Sequence, residues 1–146
     1  TWALRTLEIG AEPKPLLGNF IGLQLVRNPG AAFSLAASFT WVFSLIALVV
    51  LAIIIWSGRN MTATSWQISL GLLAGGALGN LVDRIAQPPG IFRGHVVDFL
   101  NYRSLFVGNI ADIAIVVAVI SVVILVVLGV PSVKTNHAYK PERVRA

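Results

Sequence analysis

The apolar positions of this sequence gather into three long runs that carry no charge. No charged residue occurs from Asn28 to Gly58, from Asn60 to Val82, or from Ile113 to Val133. A helix crossing a hydrocarbon layer of about 30 Å needs roughly 20 residues, so each run is long enough to span a bilayer. The first has an almost purely apolar core, Phe39–Trp56. The second, Trp66–Val82, is Gly-rich and weakly polar, and the third is a Val/Ile/Leu run. The pattern predicts membrane helices over residues 38–56, 66–85 and 110–130. Val and Ile form helices poorly in water, but hydrocarbon forces backbone groups to bond internally and overrides that preference. A buried helix of a soluble domain would account for any one run. Three in so short a chain do not fit that reading.

The intervening stretches follow other patterns. Pro13, Pro15, Gly18, Gly22, Pro29 and Gly30 punctuate residues 1–37, and Asn19–Arg27 partly alternates, which reads as extended chain or hairpin. Residues 86–108 form a loop with a Gln87-Pro88-Pro89-Gly90 turn, and His95–Phe99 reads as a short strand. In the middle span, Gly71/Gly75 and Gly75/Gly79 are overlapping pairs of small residues that let helices approach closely. Their expected use is packing inside one molecule, with dimerisation the weaker alternative.

Composition agrees with the pattern. Of 146 residues, 56% are hydrophobic and 12% charged, where a soluble domain is about 25% charged. Mean hydropathy is +0.81. A soluble enzyme, a disordered chain and a nucleic-acid binder are all argued against, leaving an integral membrane protein. The net charge of +5 would suggest nucleic acid in a soluble chain. Here Lys134, Lys140, Arg143 and Arg145 crowd the segment 131–146, and a basic tail after an apolar span reads as a cytoplasmic anchor beside anionic lipid. There are no cysteines, so disulfides, thiolate metal sites and a cysteine nucleophile are excluded.

Antiparallel spans alternate in direction, so the start of span one, the end of span two and the start of span three emerge on one face. Those places hold Arg27 and Asn28, then Asn80, Asp83 and Arg84, then Asn109 and Asp112, with Asp98 in the loop between spans two and three. Ionisable groups cost roughly 2.5–3.5 kcal/mol at the centre of a membrane helix and are seldom incidental. Asn80 and Arg84 are four apart and Asn109 and Asp112 three apart, spacings that place each pair on one helix face. Asp98 and Asp112 lie in apolar settings. If they meet, like charge and low dielectric raise one pKa and let the pair share a proton. Such a pair suits aspartic peptide hydrolysis, with water as nucleophile and neither metal nor cofactor required.

Plainer readings exist for each residue. Asp83 beside Arg84 reads as a helix-end ion pair. Asp112 can be a charge favoured by the helix dipole, Asn109 only a cap, and Asn28-Pro29-Gly30 only a turn. His95 reads as a loop residue. A zinc site is disfavoured, because His137 lies on the other face and no HExxH occurs. A Ser34/Lys14 dyad has nothing to fix its geometry. A small ion or proton carrier using the same carboxylates is the alternative function; it needs ionisable groups through the depth of the spans, and the apolar cores have none.

Four blocks in order, Val26–Ser34, Gly75–Arg84, Gly94–Phe99 and Asn109–Asp112, closely resemble the bacterial lipoprotein signal peptidases (signal peptidase II). The resemblance implies a monomeric, multi-pass aspartic endopeptidase of the bacterial cytoplasmic (inner) membrane. It would cleave prolipoprotein signal peptides just before a cysteine bearing diacylglycerol, in contact with membrane lipid. It implies Asp98 and Asp112 as the catalytic dyad, near the extracytoplasmic face, with Asn28, Asn80, Arg84 and Asn109 orienting substrate and carboxylates. The implied fold is a four-helix bundle, three of its spans in this chain, with both termini cytoplasmic and an extracytoplasmic β-cradle that fits residues 16–35. The family pattern begins with a further membrane helix ending in Asp-x-x-(Thr/Ser)-Lys before a stretch like Trp2-Ala3-Leu4. This sequence starts at Thr1 and reads as a truncated form lacking that span and its Asp.

Overall fold

The computed structural model describes residues 2–18, 20–30, 39–103 and 105–133. Its elements in chain order are α1 (Trp2–Thr6), β1 (Lys14–Leu17), β2 (Ile21–Asn28), α2 (Thr40–Gly58), α3 (Thr64–Ala86), β3 (Val96–Asn101), β4 (Val107–Gly108) and α4 (Ile110–Val127). The fold is mostly helical, with one small antiparallel sheet in the order β1-β2-β3-β4. The helices α2, α3 and α4 are each long and apolar enough to cross a membrane. Their large aliphatic side chains point outward: Ile46, Val49 and Ile53 on α2 and Val116, Ile120 and Ile124 on α4 are all exposed. In water such surfaces would drive association; in hydrocarbon they are solvated, and the buried positions go to small and polar groups.

Thr40, Ser44 and Ser69 are buried, and Ala118 has no exposure. Small residues let α3 and α4 approach closely. A side chain at Gly76 would meet the Ala111 carbonyl oxygen and Ile115 Cγ1, both at 2.6 Å, so only glycine fits there. Gly79 lies against Ala111 Cβ. The expectation for Gly71 and Gly75 needs correction. A Cβ at either would have no described neighbour within 4 Å, so the packed seam runs through Gly76 and Gly79. At the end far from the sheet, Ser69 Oγ and Ser121 Oγ share a hydrogen bond of 2.6 Å, and Trp66 Nε1 donates to the Val130 carbonyl at 2.9 Å.

The sheet pairs Lys14 with Leu23, Val26 with Asp98 and Leu100 with Gly108. Ala3, Leu7, Leu25 and Val97 form its small core. Residues 1–37 are not wholly extended, because α1 folds as a helical turn that lays Ala3 and Leu7 on the sheet. Five residues are too few for a helical period to show in sequence. The connection from α3 to β3 is strapped back to the bundle: Ser44 Oγ donates to the Phe92 carbonyl at 2.7 Å, and the Gly94 N–H donates to the Arg84 carbonyl at 2.9 Å. The basic tail from Lys134 onward, the motif residues Ala31–Ser34 and His137 lie outside the described residues.

Candidate active site

Asp98 is the third residue of β3. Strand alternation sends Val97 into the small core and Asp98 to the opposite face. Two contacts fix the strand's placement. Asp98 pairs with Val26 of β2, and the Val97 N–H donates to Asp83 Oδ2 of α3 at 3.0 Å. Asp112 is set by local chemistry. Asn109 is the N-cap of α4, and Asp112 is the third residue of that helix. Asn109 Oδ1 accepts from the Asp112 N–H at 3.1 Å, and Asp112 Oδ2 accepts from the Asn109 N–H at 3.0 Å, completing a capping box.

Asn109 joins the two carboxylates. Its Nδ2 donates to Asp98 Oδ1 at 2.7 Å, while its backbone N–H holds Asp112. Asn28 Nδ2 donates to Asp98 Oδ2 at 2.8 Å, and Asn80 Nδ2 to Asp112 Oδ1 at 2.9 Å. Asn80 Oδ1 in turn accepts from Asn109 Nδ2 at 3.1 Å. Each of the four carboxylate oxygens thus accepts a hydrogen bond, and among the described residues three asparagines supply the donors. The Asn28 side chain is itself oriented, because its Oδ1 accepts from the Gly30 N–H at 2.7 Å. Gly30 has φ of +94°, and a side chain there would also strike Arg84 and Phe43.

Asp98 is only 1% exposed. Burial pushes its carboxyl above the usual range, and the nearby Asp112 and Asp83 push the same way. The bonds from Asn28 and Asn109 favour the charged form and oppose this shift. Arg84, also buried, projects from α3 into the electrostatic reach of Asp98, Asp112 and Asp83. It donates to the Pro29 carbonyl at 3.4 Å, and its guanidinium stands 5.2 Å from the centre of the Phe43 ring. One cation therefore faces a pair of embedded acids.

The structure brings together all six residues singled out from the sequence: Asn28, Asn80, Arg84, Asp98, Asn109 and Asp112. Adjacent helical residues point about 100° apart, and Asp83 accepts from the Val97 N–H while its charge stays within electrostatic reach of Arg84. Sequence reasoning also missed Gln87, whose Oε1 accepts from Arg27 Nη1 at 3.2 Å, and Phe43 beneath Arg84. The Asp83–Val97 link carries no local signal, since it joins residues 14 positions apart across the α3–β3 turn. The Lys14/Ser34 alternative is not described, as Ser34 lies outside the described residues.

Two apolar grooves reach this cluster from either side of α3. One, of about 280 Å³, runs between α2 and α3 past Phe43, Ile46 and Leu73 to Asn80 and Arg84. The other, of about 560 Å³, passes Gly75, Leu78 and Ile110 to Asn80 and Asn109. The arrangement is suited to proton transfer at a polar atom delivered by an otherwise apolar molecule.

The sequence model of the family described as "Signal peptidase (SPase) II" matches residues 1–128. A lipoprotein signal peptidase of Mycobacterium avium (strain 104) is 48% identical over 104 residues, covering 71% of this chain and 57% of that protein. One of Rhodococcus jostii (strain RHA1) is 46% identical over 113 residues, covering 77% of this chain and 57% of that protein. The chain thus spans just over half the length of these curated relatives. Among solved structures, one described as "Bacterial membrane enzyme structure by the in meso method at 1.9 A resolution" superposes with a TM-score of 0.68 at 27% identity, over 84% of this chain and 79% of the other. A second, at 2.3 Å, shares the fold with a TM-score of 0.71 at 24% identity, over 99% of this chain and 84% of the other. All six clustered residues lie within the stretch matched by the family model, and the chain belongs to the signal peptidase II family.

Proposed function

We propose that this protein is an aspartic endopeptidase that removes signal peptides from diacylglyceryl-modified bacterial prolipoproteins, cutting before the lipid-bearing cysteine. The observation that carries the proposal is the double bridge through Asn109, which ties the buried Asp98 to the half-buried Asp112. Asp98, raised by burial, holds the proton that the pair shares. It donates that proton to the scissile carbonyl oxygen. Asp112 takes a proton from water, whose oxygen bonds to the carbonyl carbon and forms a tetrahedral gem-diol. That intermediate collapses as Asp98 takes back a proton from one of its hydroxyls, the C–N bond breaks and Asp112 gives its proton to the departing amine, leaving a carboxylic acid and an amine and restoring the dyad. Asn28, Asn80 and Asn109 hold the two carboxyl groups in place. Arg84 offsets the charge of the site while staying fixed by Pro29 and Phe43.

In this reading the signal segment and the lipid chains approach sideways from the bilayer along the grooves beside α3. Fixed depth in the membrane then removes much of the entropic cost of bringing the peptide to the dyad. The sheet end of the bundle faces the outside of the cytoplasmic membrane, the opposite end, where α4 finishes, faces the cytoplasm, and the protein acts as a monomer. Residues 1–146 belong to a single membrane-embedded peptidase domain. The test is incubation of the purified protein in lipid with a diacylglyceryl-modified prolipoprotein, read by mass. Release of the signal peptide, lost in Asp98→Asn and Asp112→Asn variants that remain folded, is the expected result. Cleavage that persists undiminished in either variant refutes the dyad.

A further inference from the structure

The sheet has one end that the chemistry above does not use. The β1–β2 turn and the β3–β4 turn lie side by side there, because Gly22 pairs with Asn101. Arg103 bridges them, with its guanidinium 5.2 Å from the centre of the Phe20 ring. Large apolar side chains described at both tips are uncovered. Leu16, Leu17, Phe20 and Phe106 are exposed, and Leu105 is 83% exposed. Tyr102 and Phe106 stack at 4.6 Å, presenting an aromatic pair beside these leucines. Isolated apolar residues on a surface need no explanation, but several large apolar side chains exposed at the tips of two adjacent hairpins do.

We infer that the two hairpin tips dip into the phospholipid interface and hold the sheet down on the membrane. Reach supports this occupant. Phe106 lies four residues before Ile110, where the exposed apolar face of α4 begins. Four extended residues span at most about 14 Å, so the tip cannot stand far from the point where α4 enters hydrocarbon. The patch is therefore continuous with the surface that the bilayer already covers. Charge supports it as well. No acidic residue occurs from Lys14 to Gly22 or from Phe99 to Ile110, whereas Lys14 and Arg103 do. The acids Glu8 and Glu12 precede β1, on the stretch leading from α1. Tyrosine and arginine beside exposed leucine and phenylalanine match the residue classes that settle at headgroup level, with apolar bodies inward and polar tips toward phosphate.

The test exploits the absence of cysteine from the chain. Leu105→Cys and Leu17→Cys each give one labelling site for an environment-sensitive fluorophore, and Glu12→Cys serves as the comparison. All three positions are exposed, so the substitutions leave packing intact. The labelled protein is placed in vesicles of phosphatidylcholine and phosphatidylglycerol. Labels at 105 and 17 should show blue-shifted emission, lose most of it to lipids bearing a nitroxide near the headgroup, and resist aqueous iodide. The label at 12 should behave in the opposite way. Quenching of the tip labels by iodide and not by nitroxide lipid would overturn the inference, as would shielding from both quenchers, which would point to a protein partner. Equal lipid quenching at position 12 would overturn it too.

Discussion

The paired helices α3 and α4 are tied together at both ends, and the ties differ in kind. Far from the sheet, Ser69 meets Ser121 and Trp66 meets the Val130 carbonyl, all neutral groups. Near the sheet, Asn80 of α3 meets Asp112 of α4, and the same network continues to Asp98 on β3. Stapling two membrane helices evidently needs no charge, since the far end manages without it. The carboxylates at the near end therefore call for another explanation, because each costs free energy to embed. A second contrast narrows it. No charged residue lies within α2, and those of α3 and α4 sit at their sheet ends, so among the described residues no ionisable series runs along these three helices as ion conduction would require. The acids are confined to one rim, where a peptide bond can be presented.

The sharpest way to break the comparison is to neutralise the near end. Asp112→Asn or Asp98→Asn keeps shape and most hydrogen bonding while removing the proton exchange. Positioned acid–base groups contribute about 10²–10⁴-fold, so prolipoprotein cleavage should fall by at least that range, with thermal unfolding in lipid little changed or shifted upward. A rate within a factor of a few of the parent would mean that the charge serves structure alone.

Asn109→Ala tests the bridge itself and should have the next largest effect. It removes the donor to Asp98 and the cap of α4 together. Loss of a cap costs about 1 kcal/mol, which a melting experiment should register as a modest drop. Activity should fall far more than that drop explains, because Asp98 loses its bond to the α4 cap while the backbone N–H at position 109 still holds Asp112, so the two carboxyl groups are no longer tied together. Asn109→Ser, which can still cap, should recover the stability but not the rate. If it recovered both, Asn109 would be a cap and nothing more.

Much of this site is legible in sequence for physical reasons. A bilayer demands long uncharged runs, so α2, α3 and α4 stand out, and alternating spans bring Asn80, Arg84, Asn109 and Asp112 to one rim. The spacing of Asn109 and Asp112 also matches a capping box. What stayed hidden depends on how helices are rotated and on contacts across the chain. The glycines at 71, 75, 76 and 79 offer several possible seams, and only the packed structure selects Gly76 and Gly79. Asp83 looks like the partner of its neighbour until β3 is seen to bring the Val97 N–H to it. The turn of α1 is too short to betray itself.

A subtler variant sharpens the electrostatics. The Asn28 amide favours the charged form of Asp98, so Asn28→Leu should raise that carboxyl further. In the proposed mechanism catalysis needs the shared proton and fails as pH rises through its loss. The alkaline limb of the pH–rate profile should therefore move to higher pH in Asn28→Leu, alongside a reduced maximum. A limb that stays in place or moves down would separate Asn28 from Asp98.

The smallest effect is expected at the far end. Ser69→Ala deletes the bond to Ser121 and leaves no charge or large void. Hydrogen bonds between membrane helices average about 0.6 kcal/mol in measured cycles, so unfolding should shift slightly and cleavage should match the parent, including its pH profile. The Ser69 hydroxyl also donates to the Ser65 carbonyl within its own helix, which limits the loss further because that carbonyl keeps its backbone partner. Should Ser69→Ala instead reduce the rate as strongly as Asn109→Ala, the two ends of the α3–α4 pair would be coupled through the Gly76–Gly79 seam. The neutral end would then belong to the catalytic machinery after all, and the contrast between staple and site would fail.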